Sequence, residues 1–233
     1  MNRPPILITK ALKIGAAMSF KDRADAGRQL AARLRSYKGA PCVLLALPRG
    51  GVPIAAKVAI QLKAPIDLIL VRKIGLPGQP ELAMGAIVDS DPPVVVRNED
   101  VVHLARVSER AFQDVQDREW AEIKRRRRLY LDGRKKISIE GQIAIVLDDG
   151  VATGATTRVA LQAVRQSKPK KLILAVPVGP TETIEALRSE ADEVICLEAY
   201  DDFSAIGNFY EDFAQVTDSE VTALLARHSE PPG

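Results

Sequence analysis

Apolar and polar positions divide this chain into two kinds of stretch. Continuous apolar runs at 43–47, 66–71, 143–147, 172–178 and 193–197 predict five strands buried on both faces, as in a parallel sheet. Between them, apolar residues recur at helical spacing. Ala24, Gly27, Leu30, Ala31 and Leu34 share one face of a helix over 22–37, which leaves Lys21, Arg23, Arg28, Arg33 and Arg35 for a solvated face. Ile54, Val58 and Leu62 mark a second helix, TTRVALQAVRQ a third, TETIEALRSEA a fourth, and residues 218–228 a last one. Strand and helix alternation of this kind predicts an α/β fold, a Rossmann-like parallel doubly wound sheet of about five strands flanked by helices.

One section interrupts that rhythm. Alternation over 85–97 around the cluster D-S-D-P-P predicts a β-hairpin, without making D-S-D a metal site. Val101, Leu104, Ala105, Ser108, Phe112, Val115, Glu119 and Ile123 then predict one long helix ending in the basic run 124–128. Such a run either stays solvated and complements the helix dipole, or binds RNA or an acidic partner. Residues 132–142 read as a short linker back to the core, and His103 has no partner at metal or catalytic spacing. No internal repeat or low-complexity tract is visible.

Composition narrows the class. At 233 residues and 46% hydrophobic, the chain suits one sizeable α/β domain. A net charge of +3 gives no reason to invoke nucleic acid, though local basic surfaces remain for phosphate groups. Cys42 and Cys196 both lie in apolar runs, so no disulfide and a reducing, cytoplasmic setting are expected. The opening residues carry Pro4, Pro5, Lys10 and Lys13 among short apolar pieces, which argues against a secretory leader or a membrane span.

The chemistry concentrates where strands end. AIVLDDGVATGATT, residues 144–157, runs from a buried strand into Asp148 and Asp149, then through Gly150, Ala152, Thr153, Gly154, Ala155, Thr156 and Thr157 into a helix. Small residues let backbone N–H groups approach an anion, and a helix N-terminus favours a phosphate. The other reading is an ordinary turn with solvated acids and Thr156 as the helix cap. After the first core strand, L-P-R-G-G-V-P sets Arg49, a fork for phosphate oxygens, beside Gly50 and Gly51. The run 66–71 ends in Arg72 and Lys73 before the Gly- and Pro-rich loop 73–85, in which Glu81 is the one carboxylate. Open parallel sheets bind ligands outside their carboxyl strand ends, so these three loops point to one shared ligand.

Loop 144–157 resembles the phosphoribosyl pyrophosphate (PRPP) motif of the type I phosphoribosyltransferases; it is neither a nucleoside triphosphate loop nor a dinucleotide loop. The resemblance covers roughly 40–90 and 140–200. It implies that Asp148 and Asp149 hold the ribose hydroxyls, directly or through Mg2+, and that Thr153 to Thr157 cradle the 5′-phosphate. Arg49, Gly50 and Gly51 then form the pyrophosphate loop, and the segment from Arg72 and Lys73 looks like the entry to a mobile catalytic loop. Some members place an aspartate base inside the PRPP motif, where this chain has Ala152. Glu81 is the alternative candidate, unless it is a solvated loop charge.

The family pattern further implies a single domain with a core at about 22–90 and 138–198, an excursion at about 84–137, and a hood at about 1–20 and 199–215. Tyr200, Phe203, Phe209, Tyr210 and Phe213 crowd the hood, either as a small satellite core or as a stacking wall for a flat acceptor. The implied activity is transfer of a phosphoribosyl group to a nucleobase or similar nitrogen acceptor, with PRPP as donor, Mg2+ as cofactor, and a homo-oligomer such as a dimer left open. Two other classes stay open. One is a PRPP- or nucleotide-sensing regulator that switches an RNA or protein partner through Arg125 to Arg128; the other is hydrolysis or transfer on another phosphorylated substrate.

Overall fold

The five apolar runs become parallel strands of one sheet in the computed structural model, which describes residues 6–9, 19–90, 93–131 and 133–228. They are β2 (Cys42–Ala46), β3 (Ile66–Leu68), β7 (Ile143–Leu147), β8 (Lys171–Pro180) and β9 (Glu193–Tyr200). A sixth strand, β1 (Ile6–Thr9), pairs with β9 at the edge and gives the order β1-β9-β8-β7-β2-β3. The hydrophobic pattern does not predict β1; four residues bounded by prolines and lysines give too short a run.

Side chains alternate between the two faces of the sheet, as strand geometry requires. Leu44, Ala46, Ile145, Leu147, Ile173 and Ile195 join a core shared with α1 (Arg23–Arg33), α2 (Gly51–Leu62) and α7 (Asp218–Ala226). Val43, Leu45, Ala144, Val146, Leu174 and Cys196 face the other way, toward α5 (Ala155–Gln166) and α6 (Thr181–Leu187). Because both faces are covered, the strands read as unbroken apolar runs.

From β2 the chain moves outward to β3, whereas from β7 it moves the opposite way to β8 and β9. The order therefore reverses between β2 and β7, and the crevice outside those two strand ends is where such sheets bind ligands. Their register is level: Cys42 opposes Ile143 and Ala46 opposes Leu147.

The interruption folds as a second, antiparallel sheet of β4 (Val71–Leu76), β5 (Gln79–Val88) and β6 (Val94–Arg97). The hairpin expected over 85–97 is there, Gly85 opposing Arg97 and Val88 opposing Val94, with Asp91 and Pro92 of its turn outside the described residues. Three expectations are corrected. The strand expected over 66–71 divides, since β3 stops at Leu68 and β4 starts the other sheet at Val71. The segment 73–85 is a hairpin rather than a loop: Lys73 opposes Ala86, and the turn closes at Gly78 with φ +82°. The long helix is two, α3 (Glu99–Leu104) and α4 (Glu109–Leu131). Arg106 takes φ +51° between them, and the Ser108 hydroxyl accepts from the Ala111 N–H at the start of α4.

Of the expected hood, residues 1–5 and 10–18 lie outside the described residues. Its C-terminal part makes a short 3₁₀ turn over Ile206–Phe209, and Phe20 bridges to Tyr210. Among the described residues, no helix is long and apolar enough to cross a membrane.

Candidate active site

Strand β7 ends at Leu147, and the loop from Asp148 delivers the chain into α5. Gly154 caps that helix at φ +74° with no side-chain cap, so the first-turn N–H groups are not claimed by a capping side chain. Thr156 is thus not the cap; it borders the crevice instead, while Thr157 is buried. Ala152, Thr153, Ala155 and Thr156 are exposed, while Gly154 is buried between them.

Beside it, β2 leads through Leu47 and a cis peptide between Pro48 and Arg49 into α2. The two glycines owe their place to the neighbouring loop. A Cβ on Gly50 would fall inside the Asp149 carboxylate, and one on Gly51 would lie 2.5 Å from the Leu147 carbonyl oxygen. Leu47 also donates its N–H to that carbonyl at 2.9 Å. Arg49 is part-exposed and reaches toward Asp218 of α7 at 3.7 Å, on the carboxylate oxygen that the Tyr130 hydroxyl bonds at 2.6 Å.

The two acids have different surroundings. Asp149 is buried, accepts from Arg23 Nε at 2.7 Å, and its backbone carbonyl accepts from the Tyr210 hydroxyl at 2.6 Å. Asp148 is part-exposed and accepts the Asp149 N–H at 2.9 Å. Packing around its carboxyl, and then the Asp149 charge, push Asp148 well above the usual carboxylate range. Burial, and next the Asp149 charge, likewise push the Tyr210 phenol up.

Asp148 opens on a cleft of about 70 Å³ lined also by Leu47, Pro48, Leu70, Arg72, Arg126 and Thr156. The ends of β2, β3 and β7 therefore meet at one place, with Arg72 and Arg126 adding positive charge. Lys73 and Glu81 are not brought there. They pair with each other at 3.0 Å, Glu81 with its side chain 97% exposed, along a separate cleft of about 470 Å³ between the hairpin and α4. Arg72 borders both clefts and donates to Glu119 of α4 at 2.7 Å.

Sequence reasoning does not place Arg23, Arg126, Tyr210 or Asp218 at this site. The helical wheel puts Arg23 on a solvated face; instead its guanidinium lies 3.8 Å over the Phe213 ring and Nη1 donates to the Ala214 carbonyl at 2.8 Å. Such a wheel marks which residues avoid the core, and gives no sign that a distant loop will cover one of them. The basic run stops short of the end of α4 at Leu131, and it is not simply solvated. Arg125 and Arg126 bond Glu122, and Arg127 bonds the buried Asp89. The aromatic residues extend the core on the α1, α2 and α7 side rather than forming a separate one: Phe209 and Tyr210 are part of it, Tyr200 and Phe203 stack on Phe209, and Tyr210 lies 4.9 Å from Phe213. Cys42 and Cys196 are free and buried, and burial pushes the Cys196 thiol up to about 12.

A family model described as phosphoribosyl transferase domain matches residues 19–214. Two proteins of Mycobacterium tuberculosis, from strains H37Rv and CDC 1551, are each 46% identical over 208 residues; they carry the names "Putative phosphoribosyl transferase Rv0571c" and "Putative phosphoribosyl transferase MT0597". The match covers 89% of this chain and 46% of theirs, so the chain spans about half the length of the curated relatives it matches. TT1426 of Thermus thermophilus, a solved structure, is 38% identical with a TM-score of 0.77, covering 91% of this chain and 99% of that one.

Proposed function

The chain belongs to the phosphoribosyl transferase family, and from that membership we propose that it binds PRPP with Mg2+ and transfers the 5-phosphoribosyl group to a nitrogen acceptor, releasing pyrophosphate. The observation that carries this reading is the convergence of three strand ends on the Asp148 cleft. In this reading Thr153 to Thr157 receive the 5′-phosphate, the Asp148–Asp149 pair stands at the ribose end, and Arg49 with the Gly50–Gly51 turn takes the diphosphate. The new bond forms from the acceptor nitrogen to the anomeric carbon as the bond to the diphosphate oxygen breaks, and the diphosphate leaves with the electron pair. Donors aimed at that oxygen lower the barrier most where charge grows. The proton lost by the acceptor needs a base, for which Glu81 is the candidate if the hairpin β4–β5 folds over the cleft.

Among the described residues, no group of three or more His, Cys, Asp or Glu side chains could hold a metal ion. The residues therefore fit a magnesium ion held mainly by the ligand's own oxygens, with Asp148 as the protein's contribution; when bound, the ion neutralises the diphosphate. Two free, buried thiols suit the cytoplasm. The regulator alternative would use Arg125 to Arg128, of which Arg126 and Arg127 are turned to carboxylates and part-buried while Arg125 and Arg128 stay exposed.

Purines, pyrimidines and small amines assayed for PRPP-dependent pyrophosphate release test the reading, and at least one should support turnover. Replacing Asp148 and Asp149 together by Asn should remove calorimetric PRPP binding in the presence of magnesium. Unchanged affinity would overturn the assignment.

A further inference from the structure

The two acids at the end of β7 are neighbours in sequence, yet they belong to different parts of the molecule. Asp149 is enclosed: its carboxylate fills the space over Gly50, and its salt bridge to Arg23 leaves the two side chains only 12% and 11% exposed. Arg23 in turn holds the C-terminal segment, through the Phe213 ring and the Ala214 carbonyl. Tyr210, 4.9 Å from Phe213 and 5.3 Å from Phe20, returns to the same loop by its hydroxyl on the Asp149 carbonyl. Helix α1, the ligand loop and the aromatic cluster thus share one buried ion pair. Asp148 is part-exposed and borders the cleft with Thr156, Arg72 and Arg126.

We propose that Arg23 is a positioning residue that holds Asp149 as a strut between the ligand loop and the aromatic cluster, leaving Asp148 as the acid that meets the ribosyl ligand. The proposal rests on the PRPP reading above. A buried carboxylate without its cation is strongly unfavourable, so loss of Arg23 forces Asp149 to move off Gly50 toward Asp148 or solvent. Either movement displaces the loop that carries the phosphate amides. The aromatic cluster also gains a role distinct from an acceptor wall, because it fixes the orientation of Arg23. Arg23 therefore acts on the ligand through Asp149, and its effect should vanish when Asp149 can no longer be a charged partner.

A double-mutant cycle on the full chain reads this directly, with PRPP–magnesium affinity from calorimetry and the unfolding midpoint in denaturant measured for every variant. Arg23→Met should weaken PRPP binding about tenfold in the wild-type background and by less than about twofold beside Asp149→Asn, since residues acting as a unit are not additive. Arg23→Lys should recover part of the loss, and Phe213→Leu should weaken binding in the same direction as Arg23→Met. Asp148→Asn should cost at least about tenfold more affinity than Asp149→Asn. Equal losses for the two acids, or multiplicative effects of Arg23→Met and Asp149→Asn on affinity, overturn the proposal. Unfolding midpoints separate the two readings. A wild-type chain that binds no PRPP removes the PRPP reading and the ligand half of the proposal, while additive midpoint shifts with PRPP binding intact remove the strut alone.

Discussion

Two glycine pairs sit at opposite ends of the same stretch of chain and do opposite things. Gly50 and Gly51 lie where two parallel strands end side by side, and what forbids a Cβ there is backbone and carboxylate from a loop roughly a hundred residues away. Gly75 and Gly78 belong to a hairpin, where the obstacle at Gly75 is the nearby Pro80 and Gly78 faces open space at φ +82°. Geometry of the first kind is dictated by the whole sheet. The second kind is local, and its amino-acid signature is the same whether the segment pairs as strands or stays a loop.

The largest effect expected from that contrast is at Gly50 and Gly51. Replacing either with Ala should destabilise the protein by about 3 kcal/mol, seen as a drop in denaturant midpoint, because the new methyl meets the Leu147 backbone at Gly51 and displaces the Arg23-paired Asp149 carboxylate at Gly50. A midpoint within error of wild type would erase the distinction between the pairs. Next is Asp148. Its folded carboxyl titrates above the ordinary 3.8, so folding favours the protonated form, and stability is lost as pH rises from that ordinary value through the raised one. Asp148→Asn should therefore be more stable than wild type near pH 7, the gap closing as the pH is lowered toward the ordinary value. A destabilised variant would contradict it. Gly78→Ala should cost about 1 kcal/mol, the strain of a left-handed residue alone, and leave PRPP affinity unchanged. The smallest effect is at the exposed Lys73–Glu81 pair: Lys73→Met should shift stability by less than about 0.5 kcal/mol, and a larger loss would make the hairpin tip part of the core structure.

Legibility follows the same division. The strands around Leu44, Ile145 and Ile173 are readable because burial on both faces leaves no polar position to confuse the pattern. Loop 148–157 is readable because small residues next to paired acids, before a helix, have few other uses. The hairpin is not, since Gly75, Pro77 and Gly78 serve loops and tight turns alike. Helix continuity through Ala105 fails because the apolar spacing carries on past the point where Arg106 turns left-handed. Arg23 fails for a different reason: its partner Asp149 is 126 residues away, and no local spacing encodes a meeting at that range.

The reversal of strand order between β2 and β7 also sets a timetable. Gly51 can settle against Leu147 only after the second sheet, α3 and α4 have all been synthesised, so the crevice is assembled from contacts distant along the chain. An N-terminal fragment that stops before β7 would carry a complete L-P-R-G-G-V-P with nothing to lean on. Binding competence in this chain should emerge late and all at once.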